Sequence, residues 1–255
     1  MALLSLRKWS VKTHPEKTLV SETSFDLPTG AVLGVYGPNG SGKTSLLKSI
    51  SGIRIEGRET SGECWIENAT AIAEMTPLER VKLVLYLASD FATPFDLTVR
   101  ELLEMGARVG VVSPDRDRVR QVIEALHLGD FLPRVISTLS DGEKQLVMFA
   151  RGVIQRPKVL VLDESFSKLD LDHLLWIAKQ TRRFAKEGMT FLIASHDLNF
   201  LSEVADELLF MRKSVVIAKG LVNDLFTPTT LAELYPNLAL QVVRSPESGK
   251  LKILY

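Results

Sequence analysis

The sequence predicts an α/β fold: a mostly parallel sheet flanked by helices, an N-terminal antiparallel β region and a helical insertion subdomain. Three observations carry that expectation. Short apolar runs alternate with helical stretches, the pattern of a parallel sheet covered on both faces. One such run, Ala31–Tyr36, passes through a glycine-rich loop into Ser45-Leu46-Leu47-Lys48-Ser49-Ile50, which reads as two turns of helix. Strand patterns nearly vanish between roughly residues 98 and 155.

In chain order, residues 2–12 and 18–27 alternate apolar and polar side chains, as two strands separated by a polar turn. Glycines punctuate 51–75, where Glu63-Cys64-Trp65-Ile66 reads as a strand. Thr76-Pro77-Leu78-Glu79 combines an N-cap, a proline at the first helical position and a glutamate three residues on, so a helix starts there. Val84-Leu85-Tyr86-Leu87 is a buried-strand candidate. Thr98-Val99-Arg100-Glu101 is a capping box. Ser113-Pro114 is expected to open a helix with Val119, Val122, Ile123 and Leu126 on its apolar face, closed by Gly129. Ser140-Asp141-Gly142-Glu143 is another capping box, with a helix through about Ile154. Strands return at Val159–Leu162 and Phe191–Ala194. The tail reads as a short helix opened by Thr227-Pro228 and stopped by Pro236, then a hairpin around Ser245–Gly249.

Composition narrows the class. A chain of 255 residues can bury a sizeable core. Charge is balanced, 31 basic against 31 acidic residues, and no charge block appears, so nothing in the overall balance points to nucleic acid. Cys64 is the only cysteine, which excludes an intrachain disulfide and suggests a reducing compartment. The N-terminal stretch lacks the apolar centre of a signal peptide, and no run approaches the ~20 residues that span a bilayer. A cytosolic chain is expected, working at a membrane only by docking.

The chemistry sits at strand ends. Gly37-Pro38-Asn39-Gly40-Ser41-Gly42-Lys43-Thr44 fits the phosphate-loop pattern G-x-x-x-x-G-K-[ST] in its strand–loop–helix setting. Its glycines let backbone N–H groups turn inward, and the helix N-terminus favours an anion. Lys43 would reach the β- and γ-phosphates, Thr44 would ligate Mg²⁺, and Ser45 extends the nucleotide contact. Asp163 ends an apolar strand, where a Mg²⁺-side carboxylate belongs, and Glu164 beside it could act on water as general base. Two acids after an apolar run are also ordinary punctuation; the phosphate loop upstream is what gives them a role. Ser195-His196-Asp197 taken alone reads as a helix N-terminus. No His/Cys cluster has zinc spacing.

Together these motifs resemble the ATP-binding subunits of ABC transporters, and the likeness covers nearly the whole chain. Leu139-Ser140-Asp141-Gly142-Glu143-Lys144-Gln145 resembles the signature LSGGQ, Leu160–Glu164 the Walker B strand with its catalytic glutamate, Ser167-Lys168-Leu169-Asp170 the D-loop, and His196 the switch histidine. The resemblance implies a P-loop NTPase core at 1–97 and 156–220, a helical subdomain at 98–155 and a C-terminal helix and hairpin at 221–255. It implies ATP and Mg²⁺ as ligands, and a head-to-tail pair of copies in which Ser140 and Gly142 complete the partner's site. It also implies transmembrane permease subunits, an indirect link to a substrate-binding protein, and a place on the cytoplasmic face of the membrane. Tyr86-Leu87-Ala88-Ser89 followed by Thr98-Val99-Arg100-Glu101-Leu102, with His196-Asp197-Leu198-Asn199, resembles importers of iron–siderophore, haem or cobalamin, with Ser89–Val99 as docking groove. A soluble ABC-type regulator or assembly factor is the alternative, and a module that barely hydrolyses a third reading. Three departures stand out: Ser89 replaces the usual glutamine, Asp141 the first signature glycine, and Thr13 or His14 the aromatic that stacks on adenine.

Overall fold

Each central strand splits its side chains between two cores, which is why its sequence is apolar throughout. The computed structural model describes residues 2–13, 17–54, 56–67, 70–89, 96–109, 115–235, 241–246 and 249–254. The chain begins with β1 (Ala2–Thr13), β2 (Lys17–Pro28) and β3 (Val32–Tyr36), then α1 (Lys43–Ile50), β4 (Arg58–Ile66) and β5 (Thr70–Ala71). Helix α2 (Pro77–Leu83) and strand β6 (Val84–Ala88) precede three helices, α3 (Val99–Val109), α4 (Arg116–Ala125) and α5 (Asp141–Gln155). Next come β7 (Val159–Asp163), α6 (Leu171–Lys186), β8 (Thr190–Ala194), α7 (Leu198–Val204), β9 (Glu207–Arg212) and β10 (Val215–Leu221). The described tail holds α8 (Val222–Leu225), α9 (Pro228–Leu234), β11 (Gln241–Arg244) and β12 (Leu251–Leu254).

A six-stranded sheet runs in the order β10-β9-β3-β8-β7-β6. Its pairs are parallel except β10 on β9, and β2-β1-β4-β5 form a separate antiparallel sheet. Leu160 and Leu162, Phe191 and Ile193, Leu208 and Phe210 enter one core with α5, α6 and α7. The intervening Val159 and Val161, Leu192 and Ala194, Leu209 and Met211 enter the other, with Leu46, Leu47 and Ile50 of α1 and with Leu4 and Leu6 of β1. Period-two alternation thus has no polar face to show.

Most expected elements form, including the Thr76 and Ser140 capping boxes and the Thr227 cap on α9. Two differences have physical reasons. Helix α4 starts after Asp115, whose side chain accepts from the Asp117 and Arg118 amides; Ser113 and Pro114, like Pro236, lie outside the described residues. It ends at Ala125, with His127 rather than Gly129 in the left-handed region at φ 50. The His127 ring stacks on Trp176 at 5.5 Å, a tertiary contact that offsets the backbone cost. Strands β9 and β10 carry no turn signal strong enough to separate them from helix in the sequence, and the sheet recruits both. From Thr98 to the start of α5 the described residues hold one isolated bridge, Thr98 with Val135, and no named strand.

Candidate active site

The register of the sheet brings the predicted residues to one edge. Val35 pairs with Ala194, Ala194 with Asp163, and Asp163 with Ala88. The carboxyl ends of β3, β8, β7 and β6 therefore lie side by side, the place where open parallel sheets bind ligands.

From β3 the chain enters the loop Gly37–Gly42, and α1 begins at Lys43. Gly42 caps that helix at φ 104, and Gly40 is also left-handed at φ 74. A Cβ on Gly42 would lie 2.3 Å from the Leu19 carbonyl oxygen and one on Gly37 2.1 Å from that of Met211, so side chains are excluded at both. Ser41 is buried, and its backbone amide donates to Pro38 O. The Lys43 side chain is 5% exposed and folds into the loop, its Nζ donating to Gly37 O at 2.7 Å and Pro38 O at 3.3 Å. Burial lowers its pKa, while Glu164 and Asp163 pull it back up. Ser45 Oγ accepts from the Arg58 guanidinium at 3.1 Å.

Asp163 is 5% exposed and its two oxygens differ. Oδ2 accepts from the Tyr86 hydroxyl at 2.6 Å; Oδ1 is buried with no hydrogen-bond partner. Burial, then the bond to Asp163, pushes the Tyr86 phenol up, so it stays a donor. Glu164 follows at φ 53, its amide donating to Ala194 O at 3.0 Å. A left-handed glutamate at a strand end is the local strain that clusters at functional sites. Its Oε1 lies 2.6 Å from His196 Nε2, both side chains about a third to a half exposed.

Ser140 is the N-cap of α5 and Gly142 lies in its first turn. Ser140 Oγ accepts from the Glu143 amide at 3.2 Å and Glu143 Oε2 from the Ser140 amide at 2.7 Å. Gly142 lets the helix approach the 167–170 loop: its Cβ would meet Lys168 O at 3.1 Å. Gln145 fastens the two together, accepting from the Lys168 amide at 3.1 Å and donating to Ser167 Oγ at 3.4 Å. Ser140, Gly142, Lys168 and Trp176 line a cavity of about 790 Å³, and Glu164, Ser167 and His196 another of about 550 Å³.

The ABC transporter family model matches residues 20–167, from β2 through the phosphate loop to the strand end at Asp163 and beyond. The chain belongs to the ABC transporter family. Similar proteins include the hemin import ATP-binding proteins HmuV of Rhizobium meliloti (35% identical over 222 residues, 83% of each chain) and of Agrobacterium fabrum (32% over 228 residues, 86% of each). The iron(3+)-hydroxamate import ATP-binding protein FhuC of Bacillus subtilis is 29% identical over 244 residues, 93% of this chain and 89% of the relative. Among solved structures, an ATP-binding cassette of an ABC transporter in its ADP conformation superposes with TM-score 0.78 at 25% identity, covering 93% of this chain and all of the other. An inward-facing putative metal-chelate type ABC transporter gives TM-score 0.79 at 23% identity over the whole chain and 98% of its own. Like other ABC ATP-binding subunits, this chain binds ATP and hydrolyses it to power transport, working with membrane permease components. None of its described helices is long and apolar enough to cross a membrane.

Within this ABC ATPase the Mg²⁺ question turns on Asp163. A buried carboxylate oxygen without a partner is costly unless a cation reaches it, and an aspartate at this strand end with a phosphate-loop threonine are the residue types that suit Mg²⁺ and phosphate; the residues fit. Among described residues no cluster of three or more His, Cys, Asp or Glu could hold a metal ion. The signature's Asp141 is exposed and its carboxylate is 3.7 Å from Lys144 Nζ, which balances its charge. Ser89 lines a cavity of about 260 Å³ with Asp141, Lys144 and Lys168, on the α5 side of the sheet. His14 and residues 90–95 of the expected docking groove lie outside the described residues. Tyr86 and Gln145 stand inside motifs read from the sequence but had no role assigned there; strand parity, which puts Tyr86 on the face of Val84 and Ala88, could have flagged the first.

Proposed function

We propose that the chain is the energising subunit of an importer for a metal chelate of the iron–siderophore, haem or cobalamin class, acting on the cytoplasmic face of the membrane. The observation that carries the catalytic part is the meeting of Lys43, Asp163, Glu164 and His196 at one sheet edge. The import of hemin and iron(3+)-hydroxamate by the similar proteins supports the cargo class.

In this reading backbone N–H groups of the phosphate loop left free within the loop and the ammonium of Lys43 hold the phosphates, with Ser45 continuing the cradle. Thr44 and Asp163 hold Mg²⁺, which when bound neutralises charge on the phosphate oxygens. Glu164 takes a proton from the attacking water, and His196, already on Glu164 Oε1, orients that carboxylate and faces the γ-phosphate. Ser140 and Gly142 sit at the capped start of α5 and, as the family resemblance implies, serve a second copy packed head to tail: such a helix start offers amides and a positive dipole end to the partner's nucleotide. Residues 1–97 and 156–220 form the ATP-binding core, 98–155 the signature-bearing subdomain and 221–255 the tail. A permease docks near Ser89–Val99, and a substrate-binding protein acts on the far side of it.

Glu164→Gln tests the catalytic assignment. Turnover should fall by at least two orders of magnitude while ATP binding persists, and a nucleotide-bound dimer should accumulate in size-exclusion chromatography. Phosphate release at the parental rate would remove Glu164 from its role. For the cargo, a strain lacking this chain should lose growth on haem or ferric siderophore as iron source, or cobalamin-dependent growth; unimpaired growth on all of them would exclude the class.

A further inference from the structure

Strand β6 presents its side chains alternately. Leu85 and Leu87 pack in the core beneath α5, whereas Val84 and Tyr86 face the core of α1. Ser89 lines the cavity beside Lys144 of α5. The β6 side chain that does reach the catalytic carboxylate is Tyr86, its hydroxyl 2.6 Å from Asp163 Oδ2. The ring is held in place: Lys48 Nζ of α1 lies 5.9 Å from its centroid. A carboxylate's terminal torsion is broad and roughly two-fold, so an Asp without such a contact would sample many orientations. With Oδ2 tied, Oδ1 is left buried and unpartnered. Hydroxyl and amide donors behind a metal-binding carboxylate set its direction, and losing one lowers metal affinity about 10- to 100-fold.

We propose that Tyr86 is a positioning residue for the catalytic cation: its hydroxyl fixes Asp163 so that Oδ1 faces Mg²⁺. The inference rests on the assignment of Asp163 to Mg²⁺ and deepens it. No step of hydrolysis passes through Tyr86; it acts only through the carboxylate.

The test uses the full chain and calorimetric ATP titrations, once with EDTA and once with excess Mg²⁺. The ratio of the two affinities measures what the cation adds. Tyr86→Phe keeps the ring and removes one oxygen. Its affinity in EDTA should stay within about twofold of the parent, and the Mg²⁺ ratio should drop about tenfold. Asp163→Asn should lose the ratio as well, and the double variant should lose no more than the worse single one. Equal loss in both buffers would make Tyr86 a packing residue and overturn the proposal, as would an unchanged ratio in Tyr86→Phe beside a lost one in Asp163→Asn. An Asp163→Asn variant that keeps its Mg²⁺ ratio would instead sink the underlying metal assignment.

Discussion

At the scale of single residues, Lys43 carries the largest charge effect in the loop. Its ammonium already donates to two loop carbonyls, so a phosphate meets a donor held in the loop before binding. Lys43→Ala should weaken ATP binding by at least about tenfold, since a hydrogen bond to a charged group contributes about 1.5–3 kcal/mol. Calorimetry checks this, and ATP held as tightly as by the parent would contradict the site. Cys64 illustrates the opposite case of a residue whose chemistry is suppressed: burial pushes its thiol up to about 12, so it packs as a small apolar side chain. Glu164 needs both descriptions. Its identity was legible from the acid pair after an apolar run; its left-handed backbone and its contact with His196 were not, because both depend on β8 lying beside β7.

Helix starts are the informative elements. Glu79, Glu101 and Glu143 each bond the backbone or side chain of a cap residue, Thr76, Thr98 or Ser140, and each pKa is lowered by those bonds. Arg134 adds to the effect at Glu143. A carboxylate whose folded pKa lies below its unfolded value stabilises the fold above the unfolded pKa, and that contribution disappears as pH falls through the folded one. Thermal unfolding midpoints should therefore decline from about pH 5 down to pH 3, and a triple Glu→Gln variant should show a shallower decline. An identical slope in both proteins would show that the boxes do not set acid stability. The same Ser140 box has a second consequence: it holds the amides at the start of α5 in a single orientation, as a phosphate-facing helix tip requires.

Over the whole molecule, two cores share one sheet, and α5 joins the helical region to it. Phe149 of α5 is fully buried, with its ring 5.4 Å from Phe166, next to the 167–170 loop, and 6.3 Å from Phe184 of α6. Phe149→Ala should cost about 3–5 kcal/mol, read by chemical denaturation. It should also slow ATP turnover more than it weakens ATP binding, because the loop between Glu164 and Asp170 loses its backing. A cost below about 1 kcal/mol would mean that α5 is not the joint between the two parts.

What sequence alone determined here was local: periodicity, caps and glycine spacing specify strands, helix starts and the phosphate loop through interactions within a few residues. The site residues it named are the ones that announce themselves by such neighbours. Tyr86 on Asp163 and Gln145 on the 167–170 loop were decided only by the tertiary structure. Strand order and register bring together residues 77 positions apart, and no pattern along the chain encodes which parallel strand will lie next to which.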